Sequence, residues 1–251
     1  IMTKNELKYY SLLLQKKHRR EENKFLVEGI KLITEALNSN YVCEKVFYTN
    51  AFFENNLDKI NFLKSFDISI EQITRKDIER LSDVKSPQEI VGVFQIKNNL
   101  HSKAISNFIV ALENINDPGN FGTIIRNCDW FGVETIIASD DCAEIYSPKV
   151  IRASAGSVFH LNVIEENNFI DSLINYKNEG YKIYCSDING KNLDKILFND
   201  KKIISLSNEA NGPSQTLLNL SDEIITIPKK GKAESLNVAN ASAIILYELT
   251  K

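Results

Sequence analysis

The sequence predicts an α/β protein of two domains, with helices covering both faces of a mostly parallel sheet in the second domain. Three observations lead to this fold class. Short runs rich in β-branched residues alternate with stretches of helical apolar spacing along the 251 residues. The runs in the second half are apolar, as parallel strands buried on both faces are. Between the two halves, residues 98–106 are polar and lack periodicity, which indicates a linker.

The first domain is predicted over residues 1–97. Apolar residues at helical spacing predict helices in ELKYYSLLLQK, IKLITEALNSN and KDIERLSD. Runs of β-branched and aromatic residues predict strands in FLVEG, EKVFYT, SIEQIT and EIVGVFQI. Because strands alternate with short helices, we expect a small, compact α/β unit.

The second domain is predicted over residues 107–251 and repeats the alternation at a larger scale. Strands are predicted in FIVALE, ETIIAS, YKIYCSD, KIISLS and EIITIP. Helices are predicted in GTIIRNCDWFG, SPKVIRASAGSVF, NFIDSLINYKN, PSQTLLNL and SLNVANASAIILYELT. Apolar strands separated by helices imply a largely parallel sheet that is covered on both faces.

The composition is that of a globular protein with an ordinary core, since 43% of the residues are hydrophobic and 25% are charged. No apolar run approaches the roughly 18 residues of a membrane span, and the amino terminus lacks a secretory apolar segment. The cysteines, at positions 43, 128, 142 and 185, form no C-x-x-C pair, which argues against zinc ligation and a disulfide framework. We therefore expect a cytoplasmic protein that uses neither a membrane nor a metal.

The net charge of −3 argues against indiscriminate coating of nucleic acid, but positive charge is concentrated in one segment. The segment QKKHRREENK contains Lys16, Lys17, Arg19 and Arg20. It is either a solvated helix end, partly neutralised by neighbouring glutamates, or a patch that contacts phosphates. Charge alone favours the solvated helix end, because short basic clusters are common on protein surfaces.

Ligands of open parallel sheets bind beyond the carboxyl ends of the strands, so the segments that follow strands are candidate sites. The first follows FIVALE and reads NINDPGNFGTIIRN. Its Asp-Pro-Gly tripeptide predicts a turn, Asn120 is placed to cap the next helix, and Arg126 lies nearly two turns into that helix. Capping accounts for Asn120 but leaves Asn114 and Asn116 without a role.

Two further segments of this kind follow KIISLS and EIITIP. The first, SNEANGP, places Glu209 between two asparagines, either as a helix cap or as the polar lining of a ligand site. The second, KKGKAESLNVANASA, has a basic loop around Gly231, and we expect Ser235 to begin a helix there. The small residues of that helix allow close approach of another backbone, in a partner subunit or in an internal layer.

Several familiar site motifs are absent from the sequence. It has no G-x-G-x-x-G, no G-x-x-x-x-G-K-[ST] and no G-x-S-x-G, which excludes the usual dinucleotide fingerprint, P-loop and nucleophile elbow. No histidine lies beside a candidate nucleophile, and Cys128 is expected to be a core thiol. The residues alone therefore indicate a two-domain α/β protein with a polar site formed by three loops.

In this order, the three loops resemble the three motifs of the SpoU (TrmH-type) branch of the SPOUT RNA methyltransferases. NINDPGNFGTIIRNCDWFGV is similar to motif one, SNEANGP to motif two and IPKKGKAESLNVANASAIILYE to motif three. The resemblance covers essentially the whole second domain. The first domain, through KYYSLLLQKKHRREENKFLVEGIKLI, resembles the L30e-like RNA-binding domain of many ribosomal RNA 2′-O-methyltransferases.

The resemblance implies an enzyme that transfers a methyl group from S-adenosylmethionine to a ribose 2′-hydroxyl, without a metal. It implies a SPOUT-type α/β fold with a trefoil knot and a homodimer formed through the knotted domain, although knots are rare in general. The L30e-like domain favours large-subunit (23S) ribosomal RNA as the substrate. It also turns the basic cluster into a predicted RNA-binding surface.

Five residues match the functional positions of the motifs: Asn120, Arg126, Glu209, Ser235 and Asn237. The resemblance implies that Arg126 binds the RNA phosphate beside the target ribose and helps to remove the hydroxyl proton. Asn120, Ser235 and Asn237 are then expected to orient the ribose or Arg126 through neutral hydrogen bonds.

The resemblance also implies a set of cofactor contacts, made largely by the backbone, at Ser207, Gly212, Ile227, Pro228 and Leu236. The sequence departs from the family pattern in two places. Glycine is often found where Ser207 and Ala210 stand, and methionine is often found where Lys229 stands. Backbone contacts tolerate the first change, whereas Lys229 adds a cation beside the cofactor loop.

Three alternatives stay open. A transfer RNA 2′-O-methyltransferase has the same catalytic fold, but such enzymes usually carry short helical extensions in place of an L30e-like domain. A non-catalytic RNA-binding or ribosome assembly factor is disfavoured, because all candidate catalytic residues are present. An antibiotic-resistance enzyme acting on large-subunit RNA would have the same sequence features.

Overall fold

A computed structural model describes residues 2–97 and 106–251. These residues form two compact units. The first comprises the described residues up to 97 together with Tyr146–Arg152, and the second comprises residues 106–145 and 153–251. The linker predicted at 98–106 lies, apart from Ser106, outside the described residues. This linker and the predicted domain limits, 1–97 and 107–251, therefore stay predictions.

The first unit is built on a four-stranded sheet. Its strands are β1 (Lys24–Glu28), β2 (Cys43–Tyr48), β3 (Ser69–Gln72) and β4 (Ile90–Gln95). Their order across the sheet is β1-β4-β2-β3, in which β2 and β3 are parallel and the other neighbours are antiparallel. The helices described over residues 2–97 are α1 (Lys4–Leu12), α2 (Lys16–Glu22), α3 (Ile30–Asn38), α4 (Asn50–Asn55), α5 (Leu57–Lys64) and α6 (Arg75–Arg80).

All strands predicted for this unit are found, but α4 and α5 are not predicted by the sequence. In NAFFENNLDKINFLK, asparagines interrupt the apolar spacing on which the helix predictions depend. Local capping and burial support these helices instead. The hydroxyl of Thr49 accepts a hydrogen bond from the Phe52 N–H at 3.2 Å, and Ile60 and Leu63 of α5 are fully buried.

The segment Tyr146–Arg152 is part of the first unit although it lies far along the chain. The Tyr146 ring stacks on Phe25 with centroids 4.6 Å apart, and its hydroxyl is 3.2 Å from that of Tyr41. Arg152 forms a bidentate pair with Asp83, with N–O distances of 2.6 and 3.0 Å. A linear division of the sequence into domains cannot anticipate this contribution.

The second unit is built on a six-stranded sheet in which all neighbours are parallel. Its strands are β5 (Phe108–Glu113), β6 (Thr135–Ser139), β7 (Asn162–Glu166), β8 (Lys182–Asn192), β9 (Lys202–Ser207) and β10 (Glu223–Thr226). Their order is β10-β8-β9-β5-β6-β7. The α-helices described in this unit are α7 (Pro118–Trp130), α9 (Phe169–Asn178), α10 (Gln215–Leu220) and α11 (Val238–Thr250). Helix α8 (Pro148–Ala153) belongs, apart from Ala153, to the first unit. The predicted α/β class, with a parallel sheet, is confirmed.

The core of this sheet explains which strands the sequence reveals. The side chains of Ile109, Ile137, Ile183 and Ile203, from four neighbouring strands, are fully buried. β7 differs because it lies at the edge of the sheet and reads NVIEE, which has few apolar residues. The sequence predicts no strand there because the β-branched signal of the central strands is missing.

Strand β8 passes very close to β10 at Gly190. The β10 register on β8 shifts from Ile224 opposite Cys185 to Ile225 opposite Lys191. A Cβ atom added at Gly190 would lie 2.5 Å from the carbonyl carbon of Ile225 and 2.7 Å from its nitrogen. Only glycine permits this approach of two backbones.

Two absences hold for the described ranges alone. No helix within residues 2–97 or 106–251 combines the length and apolarity that crossing a membrane requires. Across the same residues, no three His, Cys, Asp or Glu side chains are grouped so that they could hold a metal ion.

Candidate active site at the carboxyl ends of the strands

The exit from β5 is a tight turn that begins at Asn114. This residue has φ of +58°, in the left-handed region that asparagine tolerates better than most residues. Its N–H donates to the Ser139 hydroxyl at 3.0 Å, and the next N–H, of Ile115, donates to the Cys142 sulfur at 3.3 Å. Asn114 therefore has a structural role in turning the chain, which the sequence left unassigned. Nothing in the structure explains Asn116, which is exposed.

The helix that follows is capped differently from the prediction. Asp117 is the N-cap of α7, because its Oδ1 accepts from the Asn120 N–H at 2.8 Å, and Pro118 takes the first helical position. Asn120 is thus not the cap but a residue of the first turn. The Asp117 carboxylate can cap the helix because it lies three residues before the backbone N–H of Asn120, to which it binds. The Asn120 side chain is therefore available for other contacts.

Asn120 joins the three loops. Its Oδ1 accepts from Asn237 Nδ2 at 3.0 Å, and its Nδ2 lies 3.5 Å from Glu209 Oε1, at the limit for a hydrogen bond. The same Glu209 oxygen accepts from the Val238 N–H at 2.5 Å. Residues from the exits of β5, β9 and β10 therefore meet in one hydrogen-bonded cluster, as the polar-site prediction requires.

The start of α11 corrects a second boundary. The sequence places the helix start at Ser235, but α11 begins at Val238. Asn237 is its N-cap, since its Oδ1 accepts from the N–H groups of Ala239 at 3.0 Å and Asn240 at 3.3 Å. Ser235 therefore lies in an exposed loop before the helix, and no hydrogen bond joins it to the cluster among the residues described.

Arg126 lies on α7 and is exposed. Within the described part of the chain, no side chain or carbonyl forms an ion pair or hydrogen bond with its guanidinium. A planar cation with five unused donors is suited to a phosphate or carboxylate brought by a ligand. The structure thus places Arg126 on the same helix as Asn120, but shows no direct contact between Arg126 and the cluster.

The loop after β9 is held by a carboxylate that the sequence did not single out. Glu113, at the end of β5, accepts from the Ser207 hydroxyl at 3.1 Å and from the N–H and hydroxyl of Ser214 at 2.9 and 2.6 Å. The sequence does contain a signal for this residue, because Glu113 is the only charged residue of the apolar run FIVALE and stands at its end. Glu113 thereby joins the first residue of the SNEANGP segment to Ser214, the residue that follows the segment.

The predicted cofactor residues lie along this loop and the next. Gly212 has φ of +63°, and its N–H donates to the Asn208 carbonyl at 2.8 Å, which closes a compact loop. Ile227 is half-buried after β10, and Pro228 is exposed. Leu236 is 47% exposed, which is unusual for leucine and leaves an apolar surface beside the polar cluster.

Helices α7 and α11 are joined by Asn127. Its Nδ2 donates to the Ala239 carbonyl at 2.9 Å and to the Ser242 hydroxyl at 2.8 Å. Ala239 and Ser242 are buried small residues of α11, so the close approach predicted for this helix occurs in an internal layer. Asn127 is not among the residues that the sequence pattern singles out.

Replacing Asn127 by Ala is expected to destabilise the protein by about 1–2 kcal/mol, because the Ala239 carbonyl and Ser242 hydroxyl lose a donor in a partly buried position. Chemical denaturation followed by circular dichroism would measure this. Asn116→Ala is the matched control, since the Asn116 side chain is exposed, and its midpoint should be unchanged. Equal midpoints for the two variants would show that the interhelical hydrogen bonds contribute no net stability.

The cysteines of the second unit are buried and poorly suited to nucleophilic catalysis. Burial, with a further contribution from Asp129, raises the pKa of the Cys128 thiol. Burial likewise raises the pKa of Cys142, and raises that of Cys185 to about 11. The prediction that Cys128 is a core thiol is confirmed.

The basic cluster of the first unit forms α2, and one of its predicted RNA-binding residues is wrong. Arg19 is only 3% exposed, and its Nη1 donates to the Leu13 carbonyl at 2.7 Å. It stabilises the turn after α1 and is not available to a phosphate. Lys16, Lys17 and Arg20 are exposed, with Lys17 lying 3.8 Å from Glu21.

Comparisons with known proteins give consistent results for both parts of the chain. Residues 107–247 match the model of the SpoU rRNA Methylase family, and residues 4–92 match that of the MRM3-like substrate binding domain. The chain is 29% identical to the 23S rRNA (guanosine(2553)-2′-O)-methyltransferase RlmP of Bacillus subtilis, over 97% of this chain and 95% of that protein.

Two solved structures are similar over almost the whole length. One, from Porphyromonas gingivalis, is assigned to the TrmH family of RNA methyltransferases and is 30% identical, with a TM-score of 0.86, covering 99% of this chain and 98% of the other. The other is an AdoMet-bound rRNA methyltransferase from Sinorhizobium meliloti, 27% identical with a TM-score of 0.82, covering 99% of this chain and 95% of the other.

Proposed function

The chain belongs to the SpoU rRNA methylase family, and on this premise we propose that the cluster of three loops is the centre at which it methylates RNA. The expected activity is confirmed: the protein is an S-adenosylmethionine-dependent RNA 2′-O-methyltransferase. Its substrate class is ribosomal RNA. We propose 23S rRNA as the substrate, because the relative from Bacillus subtilis is a 23S rRNA methyltransferase.

One observation carries the assignment of the centre. Asn120 lies within hydrogen-bonding distance of both Asn237 and Glu209, so each of the three motif loops contributes a side chain to one cluster. The loops leave β5, β9 and β10 at the same edge of a parallel sheet, where ligands of such sheets bind. We propose that Glu209 has a structural role: its Oε1 accepts a hydrogen bond from the Val238 N–H and so joins the loop after β9 to the start of α11.

The loops after β9 and β10 fit a cofactor with polar and apolar parts. The compact turn at Gly212 presents backbone groups, and Leu236 presents an exposed apolar side chain. We assign Ser207, Gly212, Ile227, Pro228 and Leu236 to holding S-adenosylmethionine. When bound there, the cofactor supplies an electrophilic methyl carbon on a sulfonium. The hydroxyl of Ser207 is engaged by Glu113, so its contribution to the cofactor is made by the backbone.

The side chains of this site then position the nucleophile. A ribose 2′-hydroxyl is a weak nucleophile, so its oxygen must be aligned with the methyl carbon and its proton must leave as the new C–O bond forms. Arg126, exposed and without a described partner, binds the phosphate beside that ribose and helps to remove the hydroxyl proton, which passes to solvent, while its charge stabilises the negative charge that develops on the oxygen. Asn120, Ser235 and Asn237 orient the ribose by neutral hydrogen bonds.

The first unit supplies further contacts to the RNA. Lys16, Lys17 and Arg20 of α2 are exposed and lie within the match to the substrate-binding domain. Three cations on one short helix contribute mainly sequence-independent attraction to phosphates. We also propose that the reaction takes place in the cytoplasm, where bacterial ribosomal RNA is made and modified.

We further propose that the second unit is knotted and forms a homodimer. The match of residues 107–247 to the SpoU family model supports a knotted chain path. Exposed apolar side chains on α7 and α11 support a dimer, since Trp130 is 83% exposed and Tyr247 is 59% exposed, with Phe131 and Tyr247 in edge contact. Large exposed aromatic side chains of this kind mark protein interfaces.

Replacing Trp130 and Tyr247 together by Lys is expected to convert the dimer into a monomer, because two charges would have to be buried at the interface. Sedimentation equilibrium would measure the mass. Ile174→Lys is the matched control, since Ile174 is an exposed apolar residue on a different helix, α9. A double variant that keeps the wild-type mass would exclude this surface from the dimer.

The function is tested by mapping 2′-O-methyl groups in RNA from cells with and without the gene. We expect one 23S position to lose its methyl group, and the purified protein to restore it with S-adenosylmethionine. Loss at a transfer RNA position instead would support the transfer RNA alternative. An unchanged methylation map, with no cofactor binding by calorimetry, would support the non-catalytic alternative.

A further inference from the structure

The loop between β10 and α11 carries three lysines that have no role in the site as assigned. We call residues 229–232, with Lys229, Lys230 and Lys232, the lysine loop; all of its residues are exposed. The loop follows Pro228 and precedes Ser235, both of which are assigned to the proposed site. It therefore borders the place where cofactor and ribose are expected to meet.

These lysines differ from most others of the second unit. Apart from Lys195, the other described lysines of this unit are engaged: Lys177 and Lys182 with Asp222, Lys191 with Glu223, Lys201 with Tyr181, Lys202 with Phe108 and Lys251 with Glu248. No residue in the described ranges forms an ion pair or hydrogen bond with a side chain of the lysine loop. The three positive charges within four residues repel one another. None of them is paired with a carboxylate in the described ranges, even though the chain has 33 acidic residues and only 30 basic ones.

The glycine of the loop has no internal explanation. Gly231 is not among the glycines with positive φ, and a Cβ atom added to it would meet nothing within 4 Å. Neither backbone conformation nor packing therefore requires glycine at this position. A glycine also serves where a backbone must come close to a ligand, and the open space beside Gly231 allows such an approach.

We propose that the lysine loop binds backbone phosphates of the substrate RNA beside the ribose that is methylated. This proposal rests on the proposed function. RNA presents a regular series of negative charges, which three neighbouring ammonium groups can neutralise together. S-adenosylmethionine offers one carboxylate, which does not account for three lysines. The loop thus acts together with Arg126 to hold the RNA backbone at the site.

The test compares three variants of the full-length protein. One replaces all three lysines by Ala, the second replaces all three by Arg, and the third is Lys195→Ala. Lys195 is the matched control because it is an exposed lysine of the same unit, also without a partner among the described residues, but outside the loop. RNA affinity is measured by filter binding of a large-subunit ribosomal RNA transcript over a series of KCl concentrations, and cofactor affinity by calorimetry.

The triple alanine variant is expected to lower the slope of log affinity against log salt by about 3, because each lysine that neutralises a phosphate contributes roughly 1 to that slope. Its affinity for S-adenosylmethionine should be unchanged. The arginine variant should keep the wild-type slope, because it retains the charges, and Lys195→Ala should match the wild type. Single alanine replacements at each lysine should each lower the slope by about 1, which provides an independent series.

An unchanged slope in the triple alanine variant would overturn the proposal. Loss of cofactor affinity with an unchanged slope would also overturn it, and would assign the lysines to the cofactor carboxylate. Failure of the proposed function has a different signature, in which the wild-type protein neither binds S-adenosylmethionine nor methylates RNA. A wild type that methylates RNA, beside a triple variant with an unchanged slope, would refute the lysine loop alone.

Discussion

Replacing Arg126 by Ala is expected to reduce methyl transfer by about 100- to 10,000-fold, the range for loss of a group that assists proton transfer or stabilises developing charge. Dimer formation and S-adenosylmethionine affinity should be retained, since the exposed guanidinium has no partner within the described residues whose loss would disturb the fold. Transfer of tritiated methyl groups to bulk RNA measures the activity, and calorimetry measures cofactor binding.

Two further variants make this result specific. Arg126→Lys keeps the charge but not the planar pair of donors, so a strong loss in this variant too would indicate bidentate phosphate binding. Lys182→Ala removes a half-exposed cation at the opposite, amino-terminal end of β8 and should leave transfer unchanged. Near-full activity of Arg126→Ala would contradict the assignment of Arg126 to the catalytic centre.

Gly190→Ala is expected to have the largest effect on stability. Its Cβ would lie 2.5 to 2.8 Å from backbone atoms of Ile224 and Ile225, which cannot rotate away as a side chain can. Overpacking of this kind costs about 1–3 kcal/mol or more, and each kcal/mol lowers the melting temperature by roughly 2–4 °C in a protein of this size. Differential scanning calorimetry measures the shift.

Gly231→Ala is the matched control for this prediction. A Cβ at Gly231 meets no atom within 4 Å and its φ is not positive, so its melting temperature should equal that of the wild type. If the melting temperature of Gly190→Ala also equalled that of the wild type, β8 and β10 would have to approach each other less closely at Gly190 than they do in this structure.

The sequence revealed the central strands of the second unit because their apolar, β-branched composition is dictated by burial on both faces. It missed β7 because an edge strand reading NVIEE is not under that constraint. In the same way, α4 and α5 are supported by capping and tertiary packing where the apolar spacing is interrupted. In this chain, the residue pattern therefore predicts a strand or helix only where burial determines which residues it contains.

The site shows the same limit at the level of single residues. Residue types and positions indicated the polar loops, but not which oxygen would bind which N–H. Both Asp117 and Asn120 are good capping residues, and only the geometry of the turn assigns the cap to Asp117. Glu113 and Asn127 act through partners 94 to 115 residues away, which no local pattern can reveal. The sequence predicts Arg19 to be a surface cation, and only the structure shows that its guanidinium binds the Leu13 carbonyl.

The membership of Tyr146–Arg152 in the first unit limits how that unit can be exchanged between enzymes. A fragment ending at residue 97 would lack the ring that stacks on Phe25 and the guanidinium that pairs with Asp83. Such a fragment would leave an apolar face open to water and a carboxylate without its counter-ion. A chimaera that grafts this unit onto another catalytic core would therefore need a compatible helix from the recipient. Unit and core have to be matched as a pair.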